Sequence, residues 1–227
     1  MDKPSDKKTK TAPALAELLQ RSAEASSRPF VDSAYYGDAE KWTPYWWDGR
    51  LAFRRFFDML DLEFVIELSS GYGRHAEYSA KLCKHLVLMD VIERNLKICR
   101  VRLGGRFPSL EYAKNNGFNF QPVGDGEASA IYCYDSMVHF SADLVASYLA
   151  DTVRVLRPGG RALYHHSNYP GPQLAHFGQH PHARQCMTQA DFWRLARERG
   201  LRVVESMVIP WGEAEALDCI TLVERLV

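Results

Sequence analysis

Val65-Ile66-Glu67-Leu68-Ser69-Ser70-Gly71-Tyr72-Gly73-Arg74 is an apolar strand that ends on an acid and then turns through two glycines. Glycines at 71 and 73 allow positive φ and let backbone approach a ligand with no Cβ in the way. The helix expected from about His75 would aim free amide groups at the same crevice. A nucleotide cofactor follows from this arrangement.

Two cofactor classes compete for the loop. Gly71-x-Gly73-x-x-Ala76 fits the dinucleotide fingerprint, and Asp90, after the apolar run Leu86-Val87-Leu88-Met89, stands where a ribose-binding carboxylate belongs. An NAD(P)-dependent oxidoreductase is therefore one reading. Glu67 favours the other, because a pyrophosphate would meet its negative charge in the crevice whereas a cationic sulfonium would be attracted. S-adenosylmethionine carries an amine, a sulfonium and no phosphate.

Further segments follow in order: Asp90, then Tyr134-Asp135-Ser136-Met137-Val138-His139 after the apolar run Ala130 to Cys133, then Leu156-Arg157-Pro158-Gly159-Gly160 and Arg161-Ala162-Leu163-Tyr164. With the glycine loop, this ordered set resembles the class I S-adenosylmethionine-dependent methyltransferases over roughly residues 50–227. The resemblance implies an α/β, Rossmann-like, doubly wound and mostly parallel seven-stranded sheet with an antiparallel last strand. It also implies cofactor contacts from Glu67, Ser69, Gly71, Gly73, Asp90, Val91, Asn116, Gly117, Tyr134 and Asp135, with Asp90 holding the ribose hydroxyls. Asp135-Ser136-x-Val138-His139, His165-His166-Ser167-Asn168, Trp211-Gly212 and Leu217-Asp218-Cys219 resemble a narrower group of sugar and natural-product O-methyltransferases. Asn116 departs from the Asp-Gly pair of that group; its amide can still hydrogen-bond an adenine edge but supplies no charge.

Composition agrees with one large domain: 227 residues, 46% hydrophobic and 25% charged. Lys+Arg and Asp+Glu both number 28, so no net field draws in nucleic acid or an anionic membrane. Five cysteines without a C-x-x-C pair point to reduced thiols. With no apolar run of membrane-spanning length and no signal peptide, the expected address is the cytoplasm.

Residues 1–13 read as a disordered, lysine-rich tail, residues 14–50 as an N-terminal cap or lid, and residues 51–227 as the catalytic domain. A helix is expected over 14–25. Tyr35, Tyr36, Trp42, Tyr45, Trp46 and Trp47 then crowd residues 35–47, well above the 12% aromatic content of the chain. They read either as a hydrophobic cap on the sheet or as a lid whose flat faces hold an acceptor ring. Beyond them, apolar runs predict helices at 51–60, 74–83, 92–103, 142–155 and 188–199. Strands are predicted at 63–68, 86–90, 109–113, 129–134, 160–166, 201–209 and 217–224.

Methyl transfer to a hydroxyl needs alignment and the removal of a proton, and histidine is the natural base at neutral pH. His139 is the favoured base and His166 a second base or substrate contact, with Asp135 orienting an imidazole. Adjacent His165 and His166 must point to opposite faces of their strand. Tyr36, Trp46, Trp47, His165, Asn168 and Arg184 are the candidate substrate contacts. His176, His180 and His182 follow His165 and His166, but their spacing matches no zinc pattern and the loop lacks the carboxylates magnesium prefers; no metal is predicted. The reading is an S-adenosylmethionine-dependent O-methyltransferase of a small-molecule hydroxyl, with a sugar of a glycan precursor or secondary metabolite as the expected acceptor. N-methylation of an amino sugar is the close alternative. Nucleic acid and membrane are not expected partners, and a homodimer is left open.

Overall fold

The computed structural model describes residues 12–172 and 183–227. The chain before residue 12 and His176, His180 and His182 lie outside the described residues. Seven strands form one sheet: β1 (Phe64–Leu68), β2 (His85–Asp90), β3 (Leu110–Lys114), β4 (Ala128–Cys133), β5 (Leu156–Ser167), β6 (Leu201–Trp211) and β7 (Ala214–Arg225). Their order across the sheet is β3-β2-β1-β4-β5-β7-β6. The first five run parallel, with Ile66 beside both Val87 and Ile131. β7 is antiparallel to β5 and to β6, its hairpin partner. Strand order reverses between β1 and β4, and this is where a doubly wound sheet opens a crevice at its carboxyl ends.

Side-chain alternation along the strands builds two apolar layers. Ile66, Leu68, Val87, Met89, Ile131 and Cys133 face a layer completed by Tyr148, Leu149, Val155 and Phe192. Val65, Leu86, Leu88, Ala130, Tyr132 and Leu163 face the other, completed by Trp47, Phe53, Phe56, Phe57, Leu96, Cys99 and Leu103. The covering helices are α4 (Ala52–Phe57), α5 (Ala76–Ser79), α6 (Glu93–Leu103), α7 (Ala142–Val155) and α8 (Gln189–Glu198). Before them come α1 (Ala12–Ser27), α2 (Tyr35–Glu40) and α3 (Thr43–Trp46).

Several boundaries differ from expectation for local reasons. The helix expected over 74–83 is a single turn, α5, because bonds three residues apart take over at Lys81 N to Tyr78 O and Leu82 N to Ser79 O. α4 is also shorter than expected. β5 begins at Leu156 and not after the glycines, since Arg157-Pro158-Gly159-Gly160 continues the strand through an irregular register against β4. A Cβ on Gly160 would lie 3.0 Å from the Ser129 carbonyl oxygen, so the neighbouring backbone requires glycine there. α8 opens with a capping box, in which the Thr188 hydroxyl accepts from Asp191 N and the Asp191 carboxylate accepts from Thr188 N. Among the described residues, no helix is long and apolar enough to cross a membrane.

Candidate active site

A cavity with about 870 Å³ of empty space, its mouth included, opens over the carboxyl ends of β1, β2 and β4. Its floor comes from the strand ends and the glycine loop: Glu67, Ser69, Gly71, Asp90, Val91, Gly117, Tyr134 and Asp135. Its roof comes from the N-terminal segment, with Ala23, Ser26, Phe30, Tyr35 and Tyr36. Two residues here hold positive φ without being glycine, Ser69 at +60° and Asp135 at +57°. Such a conformation costs roughly 1–2 kcal/mol and persists only where the surroundings fix it.

Asp90 is buried at the end of β2. Its carboxylate accepts from Gly71 N at 2.9 Å, Ile92 N at 2.8 Å and Asn95 Nδ2 at 3.3 Å. Burial raises the carboxyl to about 6, against the lowering effect of those donors. Asp90 therefore ties the glycine loop to β2 while bordering the cavity. Gly71 has φ +55°, and a Cβ there would come within 2.8 Å of the Tyr36 ring. Tyr36 itself stacks on Tyr72 with ring centroids 4.2 Å apart. The bare backbone at 71 thus receives an aromatic ring from the N-terminal segment.

Gly73 and Asn116 behave otherwise than expected. Gly73 does not border the cavity; a Cβ there would meet Leu103 at 2.9 Å, so its bareness serves the packing of α6 on the loop. The Asn116 side chain turns back to accept from Phe118 N at 3.1 Å and Asn119 N at 3.2 Å, and its neighbour Gly117 lines the cavity in its place.

Glu67 is buried and accepts a hydrogen bond from Tyr132 Oη at 2.5 Å. Burial, only partly offset by Tyr132, raises its carboxyl to about 8. A cation in the cavity would favour its ionised form. Asp135 receives Arg74 at 2.7 Å and the Tyr35 hydroxyl, and its backbone N–H donates to His165 Nδ1 at 3.0 Å. With Nδ1 accepting, His165 donates from Nε2 to Asp218, 3.0 Å away. Asp218 also accepts from Arg184 Nε and a terminal nitrogen, at 2.7 and 2.8 Å. Burial works against the Asp218 charge, but the Arg184 bonds and His165 outweigh it and hold the carboxyl below the usual range.

The histidines separate by strand geometry. His166 lies on the opposite face of β5 from His165, stacked on Phe192 at 3.9 Å and 2.8 Å from Thr221 Oγ1. Facing the core layer, it cannot act as base or substrate contact in the cavity. His165 supports the cavity floor through Asp135 but does not border the cavity. His139, on the short turn Met137–His139, borders both the cavity and a second chamber lined by Ser22, Ser26, Ser141, Arg184 and Gln185. Burial, reinforced by the Arg184 cation, lowers its imidazole to about 3, so the ring is neutral.

Other expected substrate contacts are engaged elsewhere. Asn168 donates to Ala216 O at 3.0 Å and accepts from Gln189 N at 2.9 Å, tying β5 to its neighbours. Arg184 borders the second chamber with its charge matched by Asp218, and is not a free anion holder. Trp47 is buried against Phe53, Phe57 and Tyr78, and Trp46 stacks on Trp211 at 5.6 Å. The aromatic segment is therefore divided: Tyr35 and Tyr36 roof the cavity, while Trp46 and Trp47 pack outside it. The sequence reading missed Arg74, which meets Asp135, and His75, which borders the cavity. Both adjoin the glycine loop, and that adjacency was the available signal.

Sheet order, glycine loop and the acid ending β2 give this chain the fold of the class I S-adenosylmethionine-dependent methyltransferases, and the comparisons agree on that fold. A family model described as a methyltransferase domain matches residues 66–164. The ubiquinone biosynthesis O-methyltransferase of Thiobacillus denitrificans is 23% identical over 201 residues, covering 77% of this chain and 85% of that protein. An S-adenosylmethionine-dependent methyltransferase from Leishmania major superposes with a TM-score of 0.68 at 13% identity, covering 92% of this chain and 83% of that one. Geranyl diphosphate methyltransferase, solved in complex with S-adenosylmethionine, gives a TM-score of 0.61 at 12% identity, covering 76% and 84%. The protein is a methyltransferase whose cofactor is S-adenosylmethionine, which sets aside the oxidoreductase alternative.

The cavity residues fit this group. Asp90 offers a carboxylate at the β2 end, Glu67 an acid that a cation would ionise, and two buried polar atoms, His75 Nε2 and Tyr134 Oη, have no protein partner among the described residues. Among the same residues, no cluster of His, Cys, Asp and Glu suits a metal ion.

Proposed function

We propose that the protein methylates a hydroxyl of a small molecule, with a sugar as the acceptor class, and that His139 receives the hydroxyl proton. The observation that carries this reading is the place of His139 on a wall shared by the cofactor cavity and the second chamber. The chamber is lined by Ser22, Ser26, Ser141 and Gln185, with the Ser22 and Ser141 hydroxyls bonded to each other, Ser26 donating to the His139 carbonyl, and the Arg184 charge already matched. Such a lining suits an uncharged polar acceptor. The Thiobacillus relative is itself named an O-methyltransferase, which favours oxygen over nitrogen.

When bound, S-adenosylmethionine supplies an electrophilic methyl on sulfonium sulfur. Asp90 holds the ribose hydroxyls, with Val91 and Gly117 beside the nucleoside. Glu67 and Asp135 line the same cavity, where the carboxyl of Glu67 would favour a cation, and Arg74 and Tyr35 fix Asp135. His139, neutral at physiological pH, would accept a hydrogen bond from the acceptor hydroxyl and take its proton as that oxygen gains the methyl group the cofactor would supply, the sulfur leaving as the neutral thioether. Burial makes the imidazole a weak base, so alignment supplies most of the rate and the proton moves late. Residues 14–50 serve as a lid on a catalytic domain of residues 51–227, since the roof of the cavity comes from that segment.

The test is product analysis by mass spectrometry after incubating the enzyme with labelled S-adenosylmethionine and a panel of nucleotide sugars, glycosylated metabolites, phenols and amino sugars. Label on a sugar oxygen supports the proposal. Label confined to amines or phenols refutes the acceptor class.

A further inference from the structure

Trp47 Nε1 donates to His75 Nδ1 across 3.1 Å. An indole nitrogen can only donate, so Nδ1 must accept, and a neutral imidazole accepting there carries its proton on Nε2. That Nε2–H is buried and finds no acceptor among the described residues, and His75 is one of the residues that line the cavity. Burial, with the Arg74 cation adding to it, holds the imidazole well below its usual value, so the ring is uncharged. Its orientation is fixed by contact: Phe53 packs at 5.6 Å and Tyr134 meets it edge-on at 5.1 Å. A buried N–H in a rigid setting that lacks a partner is costly unless a ligand supplies an acceptor.

We propose that His75 Nε2–H donates to the carboxylate of the amino-acid moiety of S-adenosylmethionine, and that Trp47 is the positioning residue that fixes the required tautomer. This assignment rests on the cofactor reading of the cavity. Chemistry selects the carboxylate. The ammonium of the cofactor is a donor, the sulfonium carries positive charge, and the ribose and adenine belong with Asp90 and Gly117 at the nucleoside end. The carboxylate is the remaining strong acceptor. It is also the one anionic group of the cofactor, while the neighbouring Arg74 charge is already matched by Asp135.

The assignment is tested by calorimetry of the full chain with two ligands: S-adenosylhomocysteine and its decarboxylated analogue, which retains the amine. In the wild type, the carboxylate-bearing ligand binds more tightly. His75→Phe keeps an aromatic ring but removes the donor; it is expected to weaken S-adenosylhomocysteine by about 10-fold to 100-fold, the effect of one charge-assisted hydrogen bond, and to leave the analogue unchanged. His75→Gln, which keeps an N–H donor, should restore much of the discrimination. Nitrogen NMR of the wild-type imidazole should report the Nε2–H tautomer, with the Nε2 resonance moving on binding S-adenosylhomocysteine and not the analogue.

Equal weakening of both ligands by His75→Phe, or no weakening of either, overturns the assignment. If His75→Phe does not fold, an Nδ1–H tautomer or an unmoved Nε2 resonance in the wild type overturns it. Failure of the wild type to bind S-adenosylhomocysteine at all would overturn the cofactor reading itself, an outcome distinct from loss of the His75 role.

Discussion

Asp218→Asn should destabilise the protein far more than its single lost charge suggests. The Asp218 carboxylate is fully buried, accepts two hydrogen bonds from Arg184 at 2.7 and 2.8 Å and a third from His165 at 3.0 Å. Asparagine keeps the volume but leaves the buried Arg184 guanidinium without its counter-charge, and a buried pair broken on one side costs about 3–5 kcal/mol. For a domain of this size each kcal/mol lowers Tm by roughly 2–4 °C, so a fall of roughly 6–20 °C is expected by circular dichroism. Removing both charges, as in Asp218→Asn with Arg184→Met, should recover a large part of that loss because no lone charge remains. The folded Asp218 carboxyl lies below its unfolded value, so its contribution is present above the unfolded pKa of about 3.9 and is lost as pH falls through the lower folded value. The difference in Tm between wild type and variant should accordingly narrow only in strong acid. A single variant that melts within a degree or so of wild type, or a double variant that melts lower still, would refute the buried-pair argument.

Three further outcomes are expected. His139→Ala should bind S-adenosylhomocysteine normally but lose turnover by about 100-fold or more, the usual scale of general-base loss; an unchanged rate in a steady-state assay would show that no base is needed there. Asp90→Ala should weaken cofactor binding by 10-fold or more through two lost hydroxyl bonds and a loosened Gly71 loop, and calorimetry returning the wild-type Kd would reject the ribose assignment. Glu67, raised to about 8, holds a proton in the folded state that it would release when unfolded, so it lowers stability as pH rises from about 4 towards 8. Glu67→Gln should flatten that part of the stability profile measured by chemical denaturation, and it should reduce the gain in S-adenosylmethionine affinity with rising pH; an unaltered profile would mean that the carboxyl is not perturbed.

The α/β class, the strands along the chain and the cofactor loop were legible because each is written in local sequence. Continuous apolar runs at 65–68, 86–90 and 130–133 define strands, and Glu67, the glycine loop and Asp90 fall at the ends of two of them. Helix 142–155 was read to the residue, with Ser141 capping it through Leu144 N. Less visible were short helices such as α5, where hydrogen bonding shifts its spacing within a few residues. Gly73 was legible as a glycine but not in its purpose, because Leu103, which crowds it, lies a whole helix away.

The sequence alone determined the strands and the set of chemical groups at their carboxyl ends, since apolar runs and turn residues act over a few positions, whereas the switch point between β1 and β4 belongs to the tertiary structure. The sequence also dictated that His165 and His166 diverge. Which of them faces the cavity layer, that Arg184 is neutralised by Asp218, that Trp47 turns inward to hold His75, and that Asn116 closes its own turn were decided only by the tertiary structure. The reason is physical: each depends on a partner brought across the sheet or from the N-terminal segment, and burial makes satisfying every buried donor and charge more decisive than the preference of any one residue.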